Sequence, residues 1–330
     1  MKKLFLVFLV FFLIGSSFCY AFGFKVGESI EGEAYYNKKK SKKISEKVLP
    51  RNDEKKLKII YDSIINNMVE CPAGSFIMGS PENELGRAPG REKQHKEIIA
   101  IPFYIGKYEV TQNLYETITG DNPSTFLQEK DDEDRPVENI SWDDAVEFCE
   151  ILNSVFKNFL PKGYRFDLPT QVQWEYACRA GTTTSLNNGK NIVSEKEFCP
   201  NLDEVGWYIA NSERNTHPVG KKEPNAWDIY DMHGNVWEWC KESGYIGKEE
   251  VKFLRGGAWE SNPDICRSAY CCFFGHYVYC DYTGFRIVLV TDSLNMVKDL
   301  LKTHKKIRKN GNKADQINKK PNEKLDIIDK

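Results

Sequence analysis

The sequence has little of what the commonest catalytic and metal centres need. Only five histidines occur, there is no Cys-x-x-Cys pair, and no cysteine spacing is typical of a zinc site. There is also no Ser–His–Asp signature, no glycine-rich phosphate loop and no internal repeat. The net charge of -2 creates no overall field that would favour nucleic acid. The sequence therefore gives no support for a zinc protein, a serine hydrolase, a nucleotide-binding enzyme or a nucleic-acid-binding protein.

Long apolar runs are also scarce. The strongest run, LFLVFLVFFLIG, begins at Leu4 after Lys2 and Lys3 and is too short to span a bilayer comfortably. Downstream of it, Cys19 and Ala21 supply small residues at the two selective positions of a cleavage site, just before Phe22. We therefore predict that residues 1–21 are a signal peptide cleaved after Ala21, the alternative being an uncleaved anchor. Cleavage would make the protein exported, that is periplasmic, at the cell surface or secreted.

What the sequence does have is one long mixed region between two lysine-rich ends. We interpret residues 22–66 as a basic linker with a possible short helix in DEKKLKIIYDSIINNM. Residues 67–292 are long enough for one large domain, and we expect residues 293–330 to be a basic, largely disordered tail. The basic ends could associate with the cell envelope, although solubilising tails are the simpler interpretation.

Helix caps and strand patterns predict a mixed fold. Three helices are expected, each after a hydroxyl residue: Thr111, Ser141 and Thr170. Gln173 completes a capping box with Thr170, while Gly120 and Gly181 are expected to end the first and third helices. Strands are predicted in GSFIMGS, PFYIGKYEVT and GFRIVLV. Because strands and helices do not alternate as βαβ units, the fold class is α+β with much irregular loop.

Six sequence blocks then occur in a fixed order. They are CPAGSFIMGS, PFYIGKYEVTQNLYETITGDNPS, RPVENISWDDAVEFCEILN, YRFDLPTQVQWEYACRAG, NAWDIYDMHGNVWEWC and RGGAWESNPDICRSAY followed by GFRIV. Together they resemble the formylglycine-generating enzyme / sulfatase-modifying factor family over about residues 68–289. The resemblance implies an irregular C-type-lectin-like fold of the sulfatase-modifying-factor type.

Two of these blocks carry physical expectations of their own. Glu175 and Arg179 are four residues apart on a predicted helix, so their side chains can pair. In GNVWEW, Trp237 and Trp239 should lie on one side of an extended segment and Glu238 on the other. Both arrangements are typical of core structure.

The NAWDIYDMHGNVWEWC block also contains a candidate metal site. Members of the family bind calcium at this segment, so the resemblance implies a structural calcium ion. Its ligands would be the side chains of Asp231 and Glu238 and the carbonyls of Gly234 and Val236. The alternative is that Glu238 is a buried acceptor for turn amides.

The cysteines near the RGG block decide between an oxidase and a scaffold without that chemistry. The family's oxidases use two cysteines in C-x4-C spacing, which bind copper(I), and the first follows the glycine pair after three residues. Here Ser261 stands at that position and Cys266 at the second, so no catalytic residue is favoured. The alternative alignment needs a five-residue insertion after Gly257 and makes Cys266 and Cys271 the copper pair. The protein would then be an oxidase that converts a substrate cysteine of exported sulfatases to formylglycine.

Several other residues of these blocks are predicted to be structural. Arg267 should pair internally, Tyr270 should pack, and His217 and His233 should make hydrogen bonds. Nine cysteines remain after the predicted signal peptide, an odd number, so at least one thiol is unpaired or pairs with another chain. Their pairing is left open.

The stretch YCCFFGHYVYCDY, residues 270–282, has a composition typical of binding surfaces. It lacks Lys, Glu, Gln, Met and Trp, and each residue can be encoded by a codon ending in a pyrimidine. This resembles the variable proteins of diversity-generating retroelements, which vary this stretch before a GFR. Tyrosine and phenylalanine also supply large contact area at low entropic cost.

We therefore predict a surface that binds an unknown protein, peptide or glycan. The contact residues expected are Trp259, Tyr270, Phe273, Phe274, His276, Tyr277, Tyr279, Asp281 and Tyr282. The alternative is a core strand with a disulfide among Cys271, Cys272 and Cys280. Because Cys271 and Cys272 are adjacent, they should face opposite sides of a strand, and at most one should be well buried.

Overall fold

The structure is a computed structural model that describes residues 53–127 and 134–291. The predicted signal peptide, most of the linker and the basic tail lie outside these residues, so their interpretations stay predictions. No helix in the two described ranges has the length and apolar character needed to cross a membrane.

Five helices occur in the described residues. They are α1 (Glu54–Asn66), α2 (Gln112–Thr119), α3 (Trp142–Val155), α4 (Gln171–Arg179) and α5 (Pro200–Asp203). Helix α1 lies in the segment where the sequence suggested a short helix, and the side chain of Asp53 caps it. The α+β class is confirmed, because the helices are few and the strands do not alternate with them as βαβ units.

The predicted N-caps of helices α2, α3 and α4 are confirmed. The hydroxyl groups of Thr111, Ser141 and Thr170 accept hydrogen bonds from the backbone of Leu114, Asp144 and Gln173. Gly120 ends α2 in the left-handed region, with a φ of 77°. The end of α4 differs by one residue: Ala180 is the left-handed cap, with a φ of 44°, and donates to the Tyr176 carbonyl. Gly181 follows with a second positive φ of 96°, which glycine adopts without strain.

The strands in the described part of the chain are short, and most belong to two four-stranded sheets. They are β1 (Met68–Cys71), β2 (Gly74–Met78), β3 (His95–Ile99), β4 (Phe103–Gly106), β5 (Tyr164–Asp167), β6 (Gly206–Trp207), β7 (His233–Gly234), β8 (Trp237–Ile246), β9 (Glu249–Arg255), β10 (Cys271–Phe274), β11 (Thr283–Gly284) and β12 (Val288–Thr291). The first sheet has the order β1-β4-β12-β5 and the second β10-β9-β8-β11, while β2-β3 and β6-β7 form small ribbons.

The second sheet separates two hydrophobic cores. Trp237 and Trp239 on β8 pack into the larger core with α2 and α3, whereas Trp174 of α4 lies in the other. Glu238 points to the side of Trp174, whose indole N–H donates to it at 2.7 Å. The predicted alternation around Glu238 is therefore confirmed.

The predicted pair on helix α4 is also present and is part of a larger buried network. Arg179 donates to Glu175 at 2.9 Å, and both side chains are almost fully buried. Arg255 at the end of β9 donates to the other carboxylate oxygen of Glu175 at 3.0 Å. This network fixes α4 against the strand that leads into the RGG loop.

Candidate functional site

The loop after β9 depends on two glycines in left-handed conformations. Gly256 has a φ of 96° and Gly257 a φ of 78°. A Cβ atom at Gly257 would lie 2.7 Å from the sulfur of Cys266, closer than atoms can pack. The glycine pair therefore brings the loop backbone directly against Cys266.

Ser261, which the favoured alignment of the sequence places at the first thiol of the family's oxidases, closes a turn in this loop. Its hydroxyl oxygen accepts the Ala258 N–H at 2.9 Å, and its own N–H donates to the Ala258 carbonyl at 2.9 Å. The Ser261 carbonyl accepts from Ile209, and the side chain is buried. Ser261 thus stabilises the loop through hydrogen bonds made by both its backbone and its hydroxyl group.

The Cys266 thiol is sealed in a small core. It is fully buried in a cluster with Cys199, Leu202 and Tyr208. This burial, together with the nearby Asp264 and Cys199, raises the pKa of the Cys266 thiol well above its usual range. The thiol is therefore protonated at neutral pH, which disfavours both metal binding and nucleophilic attack.

Cys271 lies in a different environment. It is on β10, opposite Arg255 of β9, and is partly exposed. Its charged or ionisable neighbours include Cys240 and Arg255, whereas Cys199 is the cysteine beside Cys266. Cys266 and Cys271, the alternative copper pair, therefore have different neighbouring residues.

Within the described residues, all nine cysteines are outside disulfides. Seven are buried, while Cys271 and Cys280 are partly exposed. Cys272 is buried and packs in the core with Trp239, on the face of β10 opposite Cys271. This is the arrangement expected for adjacent strand residues, and the structure contains no disulfide among Cys271, Cys272 and Cys280.

The aromatic stretch begins as strand β10, whose side chains alternate between two faces. Tyr270 and Phe274 pack against the larger core, and Phe274 meets Trp239 edge-on with ring centroids 6.5 Å apart. Phe273 faces the other way, where the Arg91 guanidinium lies 5.0 Å from its ring centroid. Tyr270 and Phe274, both predicted contact residues, therefore have mainly packing roles.

Residues 275–281 form a partly exposed loop whose backbone is held on the domain. The His276 carbonyl accepts from Trp142 at the start of α3, and the Cys280 carbonyl accepts from Asn139. The His276 imidazole lies 2.7 Å from the Asp143 carboxylate. The side chains of Tyr277 and Tyr279 are partly exposed on this fixed loop, which lowers the entropic cost of binding a partner.

Tyr282 does not belong to the surface. Its side chain is buried in the larger core, and its carbonyl accepts the Trp237 N–H at 2.8 Å. The prediction that Tyr282 is a contact residue is corrected: the chain turns inward here to pair β11 with β8.

Trp259 and Asp281 form the neighbouring part of the surface. The indole N–H of Trp259 donates to the Asp281 carbonyl at 3.0 Å, and Phe126 meets the indole edge-on at 5.5 Å. Both Trp259 and the Asp281 side chain are partly exposed. Six of the predicted contact residues are thus partly exposed, and a direct contact joins Trp259 to Asp281; the six are Trp259, Phe273, His276, Tyr277, Tyr279 and Asp281.

Two carboxyl groups beside Trp259 were not singled out from the sequence. Glu138 is fully buried, and one of its oxygens accepts the Phe126 N–H at 2.8 Å. Burial, aided by the Asp281 charge, raises the pKa of Glu138 to about 7. The same two causes raise the pKa of Glu260, next to Trp259, to about 7. No local pattern marks Glu138, because its burial results from contacts between loops that are distant in sequence.

Arg267 and the two histidines have the structural roles predicted for them. Arg267 donates to Glu92 at 2.8 Å and to Glu84 at 2.6 Å, fully buried. His233 lies 2.7 Å from the Cys266 carbonyl and accepts from Asn187 at 3.0 Å. The His217 ring lies 2.8 Å from the Ser212 carbonyl. These bonds use the polar atoms of the side chains for structure.

Glu238, one of the four residues of the candidate calcium site, belongs to a buried ion pair. Both oxygens of Glu238 accept from Arg286, at 2.5 and 2.6 Å, and one also accepts from Trp174. Asp231 accepts from Gly220 at 2.7 Å, and its second oxygen is buried without a partner.

As arranged, these groups do not fit a calcium ion bound by Glu238, because a guanidinium already neutralises that carboxylate. Among the residues in the two described ranges, no group of three or more His, Cys, Asp or Glu side chains is placed to hold a metal ion. The calcium site stays a prediction, with the unpartnered oxygen of Asp231 as its support.

Comparison with known proteins identifies the domain. The family profile described as "Sulfatase-modifying factor enzyme 1-like domain" matches residues 61–291. The match covers more than half of the chain and contains both large sheets, the RGG loop and the aromatic stretch.

Individual relatives agree with this match. Chaperone protein LppX of Paenibacillus barcinonensis is 32% identical over 227 residues, which cover 53% of this chain and 75% of that protein. The formylglycine-generating enzyme of Bos taurus is 26% identical over 278 residues, or 62% of this chain and 67% of the enzyme. The inactive Cα-formylglycine-generating enzyme 2 of Bos taurus is 25% identical over 258 residues, or 60% and 78%.

A solved structure has the same fold. Treponema denticola variable protein 1 superposes with a TM-score of 0.56 at 26% identity, covering 67% of this chain and 94% of that one. This similarity confirms the irregular C-type-lectin-like fold that the sequence blocks implied.

Proposed function

Because the chain belongs to the sulfatase-modifying factor enzyme 1-like domain family, we propose that it uses the family scaffold for binding and lacks formylglycine-generating activity. Its ligand would be a protein, peptide or glycan, held by the partly exposed side chains of residues 259–281. We further propose that it acts after export, as the features of residues 1–21 suggest.

The observation that carries the proposal is the state of the two positions where the oxidases have thiols. Ser261 supplies a hydroxyl group that accepts a backbone hydrogen bond, and Cys266 is fully buried with a raised thiol pKa. A copper(I) site needs two accessible thiolates close together. One buried, protonated thiol beside a serine hydroxyl does not supply them.

The names of two relatives support a non-catalytic role. One carries the name of a chaperone and another that of an inactive formylglycine-generating enzyme, and both are about as similar to this chain as the active enzyme is. A variable protein has the same fold. These names fit a shared scaffold whose surface residues differ between proteins and select different ligands. The composition of residues 270–282 suggested the same.

The binding proposal is tested with defined libraries and a matched tyrosine. The purified chain is used to select ligands from a random peptide library and from a glycan array, and each is measured again with Tyr277→Ser and Tyr279→Ser. Tyr245→Ser is the control, because Tyr245 is 73% exposed on the β8 hairpin outside this surface. We expect the first two substitutions to weaken binding about tenfold or more and the control to leave it unchanged. If neither substitution changes the affinity for the selected ligands, these ligands bind elsewhere on the protein.

The runner-up function, a copper-dependent oxidase, has its own assay. The chain is incubated with copper(I), oxygen and a sulfatase-derived peptide that contains the substrate cysteine. We expect no formylglycine. Formation of the aldehyde by the wild-type chain, lost in Cys266→Ser, would make the oxidase the function.

A further inference from the structure

The loop of residues 275–281 is attached to the start of helix α3 through His276. The carbonyl oxygen of His276 accepts the Trp142 N–H at 3.1 Å. Its imidazole Nδ1 lies 2.7 Å from a carboxylate oxygen of Asp143. Because an ionised carboxylate only accepts hydrogen bonds, Nδ1 is the donor. Both the backbone and the side chain of His276 therefore join the loop to the first turn of α3.

The first turn of α3 is itself fixed, so it can serve as an anchor. Ser141 and Asp144 form a capping box at its start. The Trp142 indole N–H donates to the Cys240 carbonyl on β8 at 2.9 Å. An imidazole that pairs with Asp143 is therefore held in place relative to the second sheet.

The loop also determines where the Tyr277 side chain lies. The Gly275 carbonyl accepts the Val278 N–H at 3.1 Å, which closes a turn around His276 and Tyr277. The Tyr277 ring packs back on Gly275, where a Cβ atom would lie only 2.9 Å from the ring atom Cε1. The His276 ring meets the Tyr277 ring edge-on, with centroids 5.4 Å apart and an angle of 84° between the planes. The position of Tyr277, a proposed contact residue, thus depends on the His276 ring.

Charged groups from two elements lie near the His276 imidazole: Asp143 on α3 and Glu250 on β9. The pKa of Glu250 is lowered first by hydrogen bonds from Lys252 and Ser243, and the charge of the imidazole lowers it further. Lys252, a cation on the same strand, is paired with Glu250 at 2.8 Å. Histidine is the side chain that gains a proton between about pH 8 and about pH 5. Because a charged donor binds a carboxylate more strongly than a neutral one, the pair with Asp143 is stronger at the lower pH.

We propose that the pair of His276 and Asp143 is a pH-sensitive latch that holds Tyr277 in its ligand-binding orientation. The inference rests on the proposed binding function and adds its regulation: the chain should bind its ligand more tightly at about pH 5.5 than at about pH 8. The latch works by lowering the entropic cost of ordering the loop when a ligand binds. His276 is a positioning residue in this scheme, because it acts through Tyr277.

Hydrogen exchange of the full chain tests the latch without any ligand. Mass spectrometry measures amide protection at about pH 5.5 and about pH 8, with the rates corrected for the intrinsic effect of pH. The reporter amides are those of Trp142, which donates to the His276 carbonyl, and Val278, which closes the turn. We expect about fivefold more protection at the lower pH in the wild type.

Two histidine variants separate the latch from a general effect of pH. His276→Gln keeps an N–H donor for Asp143 but does not titrate, so its protection should be the same at both pH values. His95→Gln is the matched control, because His95 pairs with Glu97 at 3.2 Å on the separate β2-β3 ribbon. It should keep the wild-type difference.

The link to binding is measured with a peptide selected from the random library that contains no histidine, cysteine, aspartate or glutamate, so its charge stays constant over this pH range. Glu138 and Glu260 of the protein also titrate here, with a pKa of about 7, and His276→Gln retains both. We expect the ratio of the affinities at the lower and the higher pH to be about fivefold larger in the wild type than in His276→Gln.

The outcomes distinguish the latch from the proposed function. Equal protection at the two pH values in the wild type, or the same pH difference in His276→Gln, would overturn the latch whatever the ligand. If ligands respond to Tyr277→Ser but their pH dependence is unchanged in His276→Gln, the role of the latch in binding is contradicted and the proposed function stands. If protection changes as expected but the selected ligands respond to neither Tyr277→Ser nor Tyr279→Ser, the proposed function falls, and the role of the latch in binding falls with it.

Discussion

The hydroxyl group of Ser261 lies 2.9 Å from the backbone nitrogen of Ala258 and accepts its hydrogen bond. In the favoured alignment of the RGG block, Ser261 stands where the family's oxidases have their first copper-binding thiol. The neighbouring Cys266 is buried against Gly257. The loop is thus held by hydrogen bonds of Ser261, and the proposal that it lacks the oxidase site depends on these two residues.

Replacing Ser261 by cysteine tests whether this one position is what the site lacks. Ser261→Cys places a second thiol in C-x4-C spacing with Cys266. Since two thiols can lose their protons to one shared copper(I) ion, we expect this variant to bind copper(I) more tightly than the wild type. Ser261→Ala is the control; it should bind no copper and lose about 1 kcal/mol of unfolding free energy with its hydrogen bond. If Ser261→Cys also binds no copper, the missing thiol at position 261 is not what prevents a copper site here.

The buried pair of Glu238 and Arg286 should be important for stability. Arg286→Met leaves the Glu238 carboxylate buried without its counter-charge, and we expect a loss of about 3–5 kcal/mol in denaturant unfolding. Lys241→Met, at a partly exposed pair with Asp167, should cost less than about 1 kcal/mol. Similar losses in the two variants would show that the Glu238 pair is not as isolated from solvent as its burial indicates.

Calcium provides a second test of the same region. Because Arg286 and Trp174 already bind the Glu238 oxygens, we expect millimolar calcium and a chelator to give the same Tm. A higher Tm with calcium, lost in Asp231→Asn, would show that Arg286 gives way to the ion and would establish the calcium site that the sequence resemblance implied.

The raised pKa of Glu138 predicts a pH-dependent stability. Its folded pKa is about 7, above the usual 4.5, so its favourable contribution is complete below about pH 4.5 and is lost as the pH rises through 7. Glu138→Gln mimics the neutral acid. Between pH 4.5 and pH 8, we expect the unfolding free energy of this variant to rise by on the order of 2 kcal/mol relative to wild type. Denaturant unfolding across this pH range measures the difference, with Glu249→Gln as the control. A constant difference would show that Glu138 titrates normally.

Thiol reactivity should follow burial. In the native protein we expect iodoacetamide to modify Cys271 and Cys280, which are partly exposed, and to spare the seven buried cysteines. Peptide mass spectrometry identifies the modified sites, and denaturation before alkylation should label all nine. Protection of Cys271 and Cys280 after denaturation under non-reducing conditions would reveal a disulfide between them.

Local chemistry explains what could be predicted from the sequence. The caps at Thr111, Ser141 and Thr170 depend on residues within one helical turn, so each could be read directly. The fold could be predicted because the six sequence blocks resemble those of the family. The end of α4 was displaced by one residue, because both Ala180 and Gly181 adopt positive φ and the sequence pattern reveals only the glycine.

Features that depend on distant parts of the chain could not be predicted. Glu238 meets Arg286, 48 residues away, and composition alone cannot show that its carboxylate is already neutralised. Tyr282 looks like its neighbours in the aromatic stretch, but strand pairing next to Trp237 turns it inward. Glu138 is buried because loops distant in sequence pack around it, and no periodic pattern in the sequence indicates that packing.

The most direct test of the central claim is a copper(I) titration of the reduced, purified chain against a competing chelator, beside Cys266→Ser. A scaffold without the oxidase site predicts no tight one-to-one binding, and any weak binding should be the same in the variant. Tight stoichiometric binding that Cys266→Ser abolishes would contradict the account and make the protein a candidate formylglycine-generating oxidase.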